Sequence, residues 1–153
     1  MVSGPHVLPG YLGGVGDEET KFRVDGCVWH RTGDAGHLDA QGQLWLAGRA
    51  GARILDTRGE LYPFSTECAA LEVPGVRRCA LLGHRGGRVL CVEWEKGRAD
   101  KKETEALLER LAWAHIDRIV TVKSLPVDVR HNAKVDLGRL RKLLDAGQAA
   151  RRG

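Results

Sequence analysis

The chain is poor in aromatic side chains, which make up 5% of its 153 residues, and it contains no apolar run approaching the ~20 residues that a bilayer-crossing helix requires. Its first residues, MVSGPHVLPG, lack the basic start and apolar middle of a signal peptide. These absences lead us to expect a soluble, cytoplasmic protein with no membrane span. Metal-ligand spacing is lacking too. No two of Cys27, Cys68, Cys79 and Cys91 stand as Cys-x-x-Cys, so a zinc knuckle or a thioredoxin-like redox pair is not supported, and the four read as small buried hydrophobes. The six histidines are equally scattered, and no metal site is expected. Nor does charge of one sign dominate: 24 Lys and Arg against 20 Asp and Glu give +4, spread along the chain. Nucleic-acid binding calls for clustered cations interleaved with aromatics, so Arg139, Arg141, Lys142, Arg151 and Arg152 read as a solvated helix face and tail. A length of 153 residues allows one ordinary core and little more, which excludes the two large domains of a multistep enzyme.

Glycine, by contrast, is abundant, with 20 residues, so turns are dense and several strands are short. The first 25 residues have little periodicity and too few apolar side chains to hold themselves together; such a segment needs a larger body to lie on. Short strands are expected at 27–29 and 44–47, with 53–55 pairing back on 44–47 through a glycine-rich connection at 48–52. Ser65 or Thr66 caps a short helix ending at Leu71, before Val73-Pro74-Gly75. Residues 76–82 and 88–94 read as an antiparallel hairpin, 101–115 as an amphipathic helix, 119–122 as a strand and 136–144 as a second amphipathic helix. This order implies an α+β domain: a short hairpin, then a small mixed sheet with packed helices.

Three segments carry chemistry: GPHVLPGYL from Gly4, HRTGDAGHLDAQGQLWLAGR from His30 to Arg49, and NAKVD from Asn132 to Asp136. Asp34 lies in a glycine-flanked turn, where a carboxylate can accept two hydrogen bonds from a vicinal diol or simply brace the bend. Arg49 closes an apolar strand beside a glycine, where a guanidinium can fork onto phosphate or ribose oxygens or stand solvated. Thr32 can donate a hydroxyl to a ligand or orient the turn. Lys134, taken alone, is one surface lysine among many.

The order of Gly4 to Tyr11, Thr32-Gly33-Asp34, Leu38-Asp39 through Gly48-Arg49, and Leu125-Pro126 through Lys134 resembles the adenylate-forming superfamily of acyl-CoA synthetases, aryl-CoA ligases and adenylation domains. Arg130-His131-Asn132-Ala133-Lys134 is similar to the terminal loop of its olefin-biosynthesis β-lactone synthetases. The resemblance implies a strip of strands from the end of the large AMP-binding domain (1–47), a hinge (48–52, with Gly51 where the family usually has Asp or Lys), a C-terminal lid (53–147) and a tail (148–153). It also implies that Asp34, Arg49 and Thr32 contact the nucleotide and that Lys134 is the adenylation lysine. In the complete enzyme a carboxylate attacks the α-phosphate of Mg-ATP, giving acyl-adenylate and pyrophosphate. A lid rotation then withdraws Lys134 for thioester formation with CoA or for β-lactone closure.

The departures from the pattern bear on activity. No Ser-Gly-Thr-Thr-Gly-x-Pro-Lys phosphate loop and no Tyr-Gly-x-Thr-Glu segment is present, so the isolated chain is expected to be inactive. Leu55 stands where a lysine often lies, Ala133 replaces a glycine, and Gly59-Glu60-Leu61-Tyr62-Pro63 with Glu67 matches the CoA-side loop only with a shifted register. The alternative is a non-catalytic module or split-enzyme subunit that docks on a separate adenylation subunit or an acyl-carrier protein.

Overall fold

The computed structural model describes residues 1–127 and 134–149. The segment Arg130-His131-Asn132-Ala133, and the tail residues 150–153 with Arg151 and Arg152, lie outside the described residues. Two compact units divide between Gly51 and Ala52.

In the first unit, β1 (Val2–Ser3), β2 (Lys21–Val24) and β3 (Cys27–His30) form an antiparallel sheet in the order β1-β3-β2, with the short helix α1 (Asp17–Thr20) leading into β2. A separate hairpin joins β4 (Asp34–Leu38) to β5 (Leu44–Arg49). No residue of this unit is buried. The aperiodic N-terminal stretch therefore has strands but no core, because it has few apolar side chains and its turns consume the glycines.

The second unit starts with β6 (Ile54–Asp56) and β7 (Gly59–Leu61), which pair with each other. The expected pairing of 53–55 with 44–47 is thus replaced by a local one. Asp56 Oδ1 accepts from the Arg58 amide at 2.9 Å in an Asx turn, and a two-residue closure costs less entropy than a longer one. Helix α2 (Pro63–Leu71) begins earlier than Ser65, since Pro63 occupies its first turn with a pre-set φ. Next come β8 (Val76–His84) and β9 (Gly87–Trp94), an antiparallel hairpin in the expected place.

Helix α3 (Lys101–Arg110) opens on a capping box in which Asp100 and Glu103 exchange hydrogen bonds of 2.8 Å. It stops short of the expected 115: the chain tightens into a 3₁₀ turn at Ala112–Ala114 and ends on His115, whose φ is +49°. The edge strand β10 (Arg118–Thr121) runs parallel to β9, and α4 (Leu137–Ala149) completes the unit. The result is the expected mixed sheet, ordered β10-β9-β8, in an α+β unit.

The run RVLCVEW in β9 is buried throughout because both faces of the sheet are covered. Leu90, Val92 and Trp94 join a cluster with Ala70 of α2 and Leu107 of α3, whereas Val89 and Cys91 pack with Leu125 and with Leu140 and Leu144 of α4. Alternation along one strand thus feeds two half-cores. The cysteines divide: Cys91 is buried and Cys79 partly so, but Cys27 and Cys68 are exposed, Cys27 because its unit has no core and Cys68 because it lies on an open position of α2. Burial pushes the thiols of Cys91 and Cys79 up, to about 11 and about 12, so both stay protonated. No helix among the described residues is long and apolar enough to cross a membrane.

A charge network ties the β6–β7 hairpin to the sheet. Buried Arg88 grips Asp56 through Nε (2.8 Å) and Nη2 (3.0 Å) and donates from Nη1 to the Ala114 carbonyl at 2.8 Å. Arg58 bridges Asp56 and Asp117, and Asp117 also accepts from the Arg88 amide. Hydrogen bonds from Arg88 and then Arg58 hold the Asp56 carboxyl well below the usual carboxylate range; those from Arg58 and the Arg88 amide lower Asp117. A carboxyl whose pKa is depressed in the folded state contributes stability above its unfolded pKa of about 4, and that contribution is lost as pH falls through the folded value. Urea midpoints measured from pH 7 to pH 2 should therefore hold steady and then fall below about pH 4, with a shallower fall in Asp56→Asn. Equal slopes in the two proteins would exclude this linkage.

Candidate functional site

The first site is set by strand register. Asp34 opens β4 directly opposite Arg49, the last residue of β5, and opposed side chains in an antiparallel pair approach closely. Arg49 Nη1 lies 3.2 Å from Asp34 Oδ1 and donates to the Thr32 carbonyl at 2.8 Å. The Thr32 hydroxyl accepts from the Asp34 amide at 3.2 Å, so Thr32 orients the turn, and Ala50 N donates to Gly33 O at 2.9 Å. These bonds stitch 32–34 to 49–50.

Further along, a register shift between Ala35 and Gly36 bends the hairpin, and at Gly36 a Cβ would sit 2.6 Å from the Trp45 carbonyl, so only glycine permits the strands to approach. At the far end the acidic turn is fixed by Asp39, which accepts from the amides of Gln41 and Gln43 and from Trp45 Nε1. Its carboxyl is lowered first by the bond from Trp45 and then by that from Gln43.

The Asp34 and Arg49 side chains are 36% and 67% exposed. An exposed pair of this kind contributes little to stability, and its chemical interest lies in what it leaves free. Among the described residues Asp34 Oδ2 accepts no hydrogen bond, and Arg49 Nε and Nη2 donate none. An open carboxylate oxygen beside an open guanidinium edge suits a polyhydroxyl ligand carrying negative charge. Gly51 lies in a 3₁₀ turn, Ala50–Ala52, where a methyl group would meet nothing within 4 Å.

Lys134 belongs to the second unit and is exposed. The chain that follows it is firmly held. Val135 bridges Val127, the Asp136 amide donates to the Pro126 carbonyl at 2.8 Å, and Asp136 Oδ1 accepts from Arg139 N at the start of α4. Lys134 is thus an unburied ammonium next to a fixed stem. Glu67, associated from the sequence with the CoA-side loop, lies on α2, where its carboxylate accepts from the Leu81 amide at 2.9 Å; burial raises its pKa, with the Leu81 bond opposing.

Comparison with known proteins gives these positions a context. The olefin beta-lactone synthetase of Stenotrophomonas maltophilia (strain K279a) is 38% identical over 122 residues, 74% of this chain and 22% of that protein. ATP-bound MatB from Rhodopseudomonas palustris superposes with a TM-score of 0.64 at 26% identity, over 92% of this chain and 29% of that one. The chain corresponds to the C-terminal part of an adenylate-forming enzyme. A further relative of this adenylate-forming family is the 2-succinylbenzoate–CoA ligase of Enterococcus faecalis (strain ATCC 700802 / V583), 35% identical over 83 residues, 54% of this chain and 16% of that protein. The chain therefore spans about a fifth of the length of the curated relatives it matches. No family model matches it.

One buried carboxylate in the second unit, Glu93, carried no motif; its signal in the sequence is a lone acidic residue in the otherwise apolar run VLCVEW.

Proposed function

We propose that this chain supplies the ribose contacts and the adenylation lysine of an ATP-dependent, AMP-forming carboxylate ligase. The observation that carries the reading is the Asp34–Arg49 pair, held by register yet with Oδ2, Nε and Nη2 open. ATP fits these donors and acceptors: the carboxylate accepts from the ribose hydroxyls, and the guanidinium donates to ribose or phosphate oxygens. Magnesium enters with the triphosphate, whose oxygens usually supply several of its ligands. Activation joins the substrate carboxylate to the α-phosphate and expels pyrophosphate. The part of Lys134 is to place positive charge where negative charge builds in that transition state. Rotation about 48–52 would then withdraw Lys134, leaving the adenylate to react with CoA or to close a β-lactone.

A second reading rests on burial. A unit of 51 residues with none buried, and with Leu38, Leu44, Trp45 and Leu46 exposed on one hairpin, needs cover. The upstream part of the same enzyme, or a separate adenylation subunit, would provide it, and an acyl-carrier protein is the further candidate partner. The isolated chain is accordingly inactive.

The test is a chimera in which this chain replaces the matching segment of the Stenotrophomonas enzyme. It should release pyrophosphate from ATP with a fatty-acid substrate, whereas the chain alone should not. Asp34→Ala should raise KM for ATP roughly ten- to a hundredfold, the usual consequence of losing hydrogen bonds to a charged group. An inactive chimera, or an unchanged KM, would overturn the reading.

A further inference from the structure

Burying a carboxylate in the middle of a sheet is costly, and a valine in the same place would fit the strand better. Glu93 is nevertheless 5% exposed in β9, the strand covered on both faces. Its two oxygens have separate tasks. Oε2 accepts from the Leu125 amide at 3.0 Å, and Oε1 pairs with Arg77 Nη1 at 3.2 Å. Leu125 is itself buried, so without Glu93 its amide would be a buried donor with no partner among the described residues.

The Leu125 bond matters because Leu125 anchors the segment that pairs with the strand beside Lys134. Pro126 accepts from the Asp136 amide, Val127 bridges Val135, and Lys134 adjoins that bridge. A carboxylate rooted in the sheet thus holds one side of a stem, and the other side carries the lysine. Asp136 fastens that second side to α4 through Arg139 N at 2.9 Å.

We propose that Glu93 is a positioning residue for Lys134: by clamping the Leu125 amide to β9, it fixes the stem from which the ammonium is presented. The proposal rests on the reading of Lys134 as the adenylation lysine. The Oε1 pair with Arg77 keeps the carboxylate pointed, which makes Arg77 an auxiliary to the same clamp.

The experiment is a double-mutant cycle in the chimera, read as kcat and KM for ATP-dependent pyrophosphate release, beside amide hydrogen exchange in the full 153-residue chain. Glu93→Val should lower kcat about tenfold with KM for ATP within twofold, and should cause no further loss in Lys134→Ala. Glu93→Gln, whose amide oxygen can still accept from Leu125, should recover most of the rate. Arg77→Ala, which leaves the core intact, should lower kcat two- to threefold in the same background-dependent way, and it decides the matter if Glu93→Val fails to fold. Exchange of the Leu125 and Asp136 amides should quicken in Glu93→Val. An equal fractional loss in both Lys134 backgrounds, or unchanged exchange, would overturn the positioning role. A Lys134→Ala chimera with undiminished rate would instead overturn the reading of Lys134, with the exchange data still deciding whether the clamp exists.

Discussion

Lys134→Ala in the chimera should lower the rate of adenylate formation by about 10² to 10³, the usual consequence of removing one preorganised charge-stabilising donor from a transition state. The loss should fall on kcat, because in the role proposed for Lys134 the negative charge it meets would build as the carboxylate attacks and be weaker in the bound ground state. Thermal stability should be unaffected: the side chain is exposed and pairs with no carboxylate among the described residues. Lys134→Arg should not restore the rate, since a planar guanidinium on a longer stem presents its charge elsewhere. Pyrophosphate release under saturating ATP, with a melting curve on each variant, separates these expectations. A drop in melting temperature equal to that of a core variant would show Lys134 to be structural.

Leu140→Ala should be the most damaging single truncation of the α4 half-core. Leu140 is fully buried and packs with Val89, Cys91, Leu125 and Leu144 between the sheet and α4. Truncations of this kind cost about 2–5 kcal/mol, a large share of the roughly 5–15 kcal/mol that holds a domain together. For a unit of this size that is a fall of roughly 10–25 °C in melting temperature. The Leu140 amide also donates to the Asp136 carbonyl, so loosening α4 loosens the stem beside Lys134. Calorimetry of the chain and of the variant checks the size. A shift below about 3 °C would mean that α4 contributes little to the core.

The elements readable from sequence were those in which periodicity and burial agree. In 76–94 the apolar runs flank a turn and are buried, and in 136–144 Leu137, Leu140 and Leu144 fall on the side of α4 that faces the sheet. Where nothing is buried, periodicity is silent, which is why β1, α1 and β2 leave no mark in the sequence, whereas 53–55 holds the buried Ile54 and takes its partner from the local turn at Asp56. The candidate site shows the same division. Asp34 and Arg49 came from motif order, and register then placed them face to face. Glu93 had no motif at all: its part appears only when a backbone amide 32 residues away is found to depend on it.

The unburied first unit has a thermodynamic consequence. Each backbone residue that becomes fixed loses about 1–2 kcal/mol of conformational freedom, and a strip without a core has no internal burial to offset that loss. On the proposed function, the ordering of the Asp34–Arg49 pair would be bound up with the docking of the strip on a covering body. Ligand binding and assembly would then be linked: a cover that ordered the strip would tighten ATP, and by reciprocity ATP would tighten the cover by the same factor.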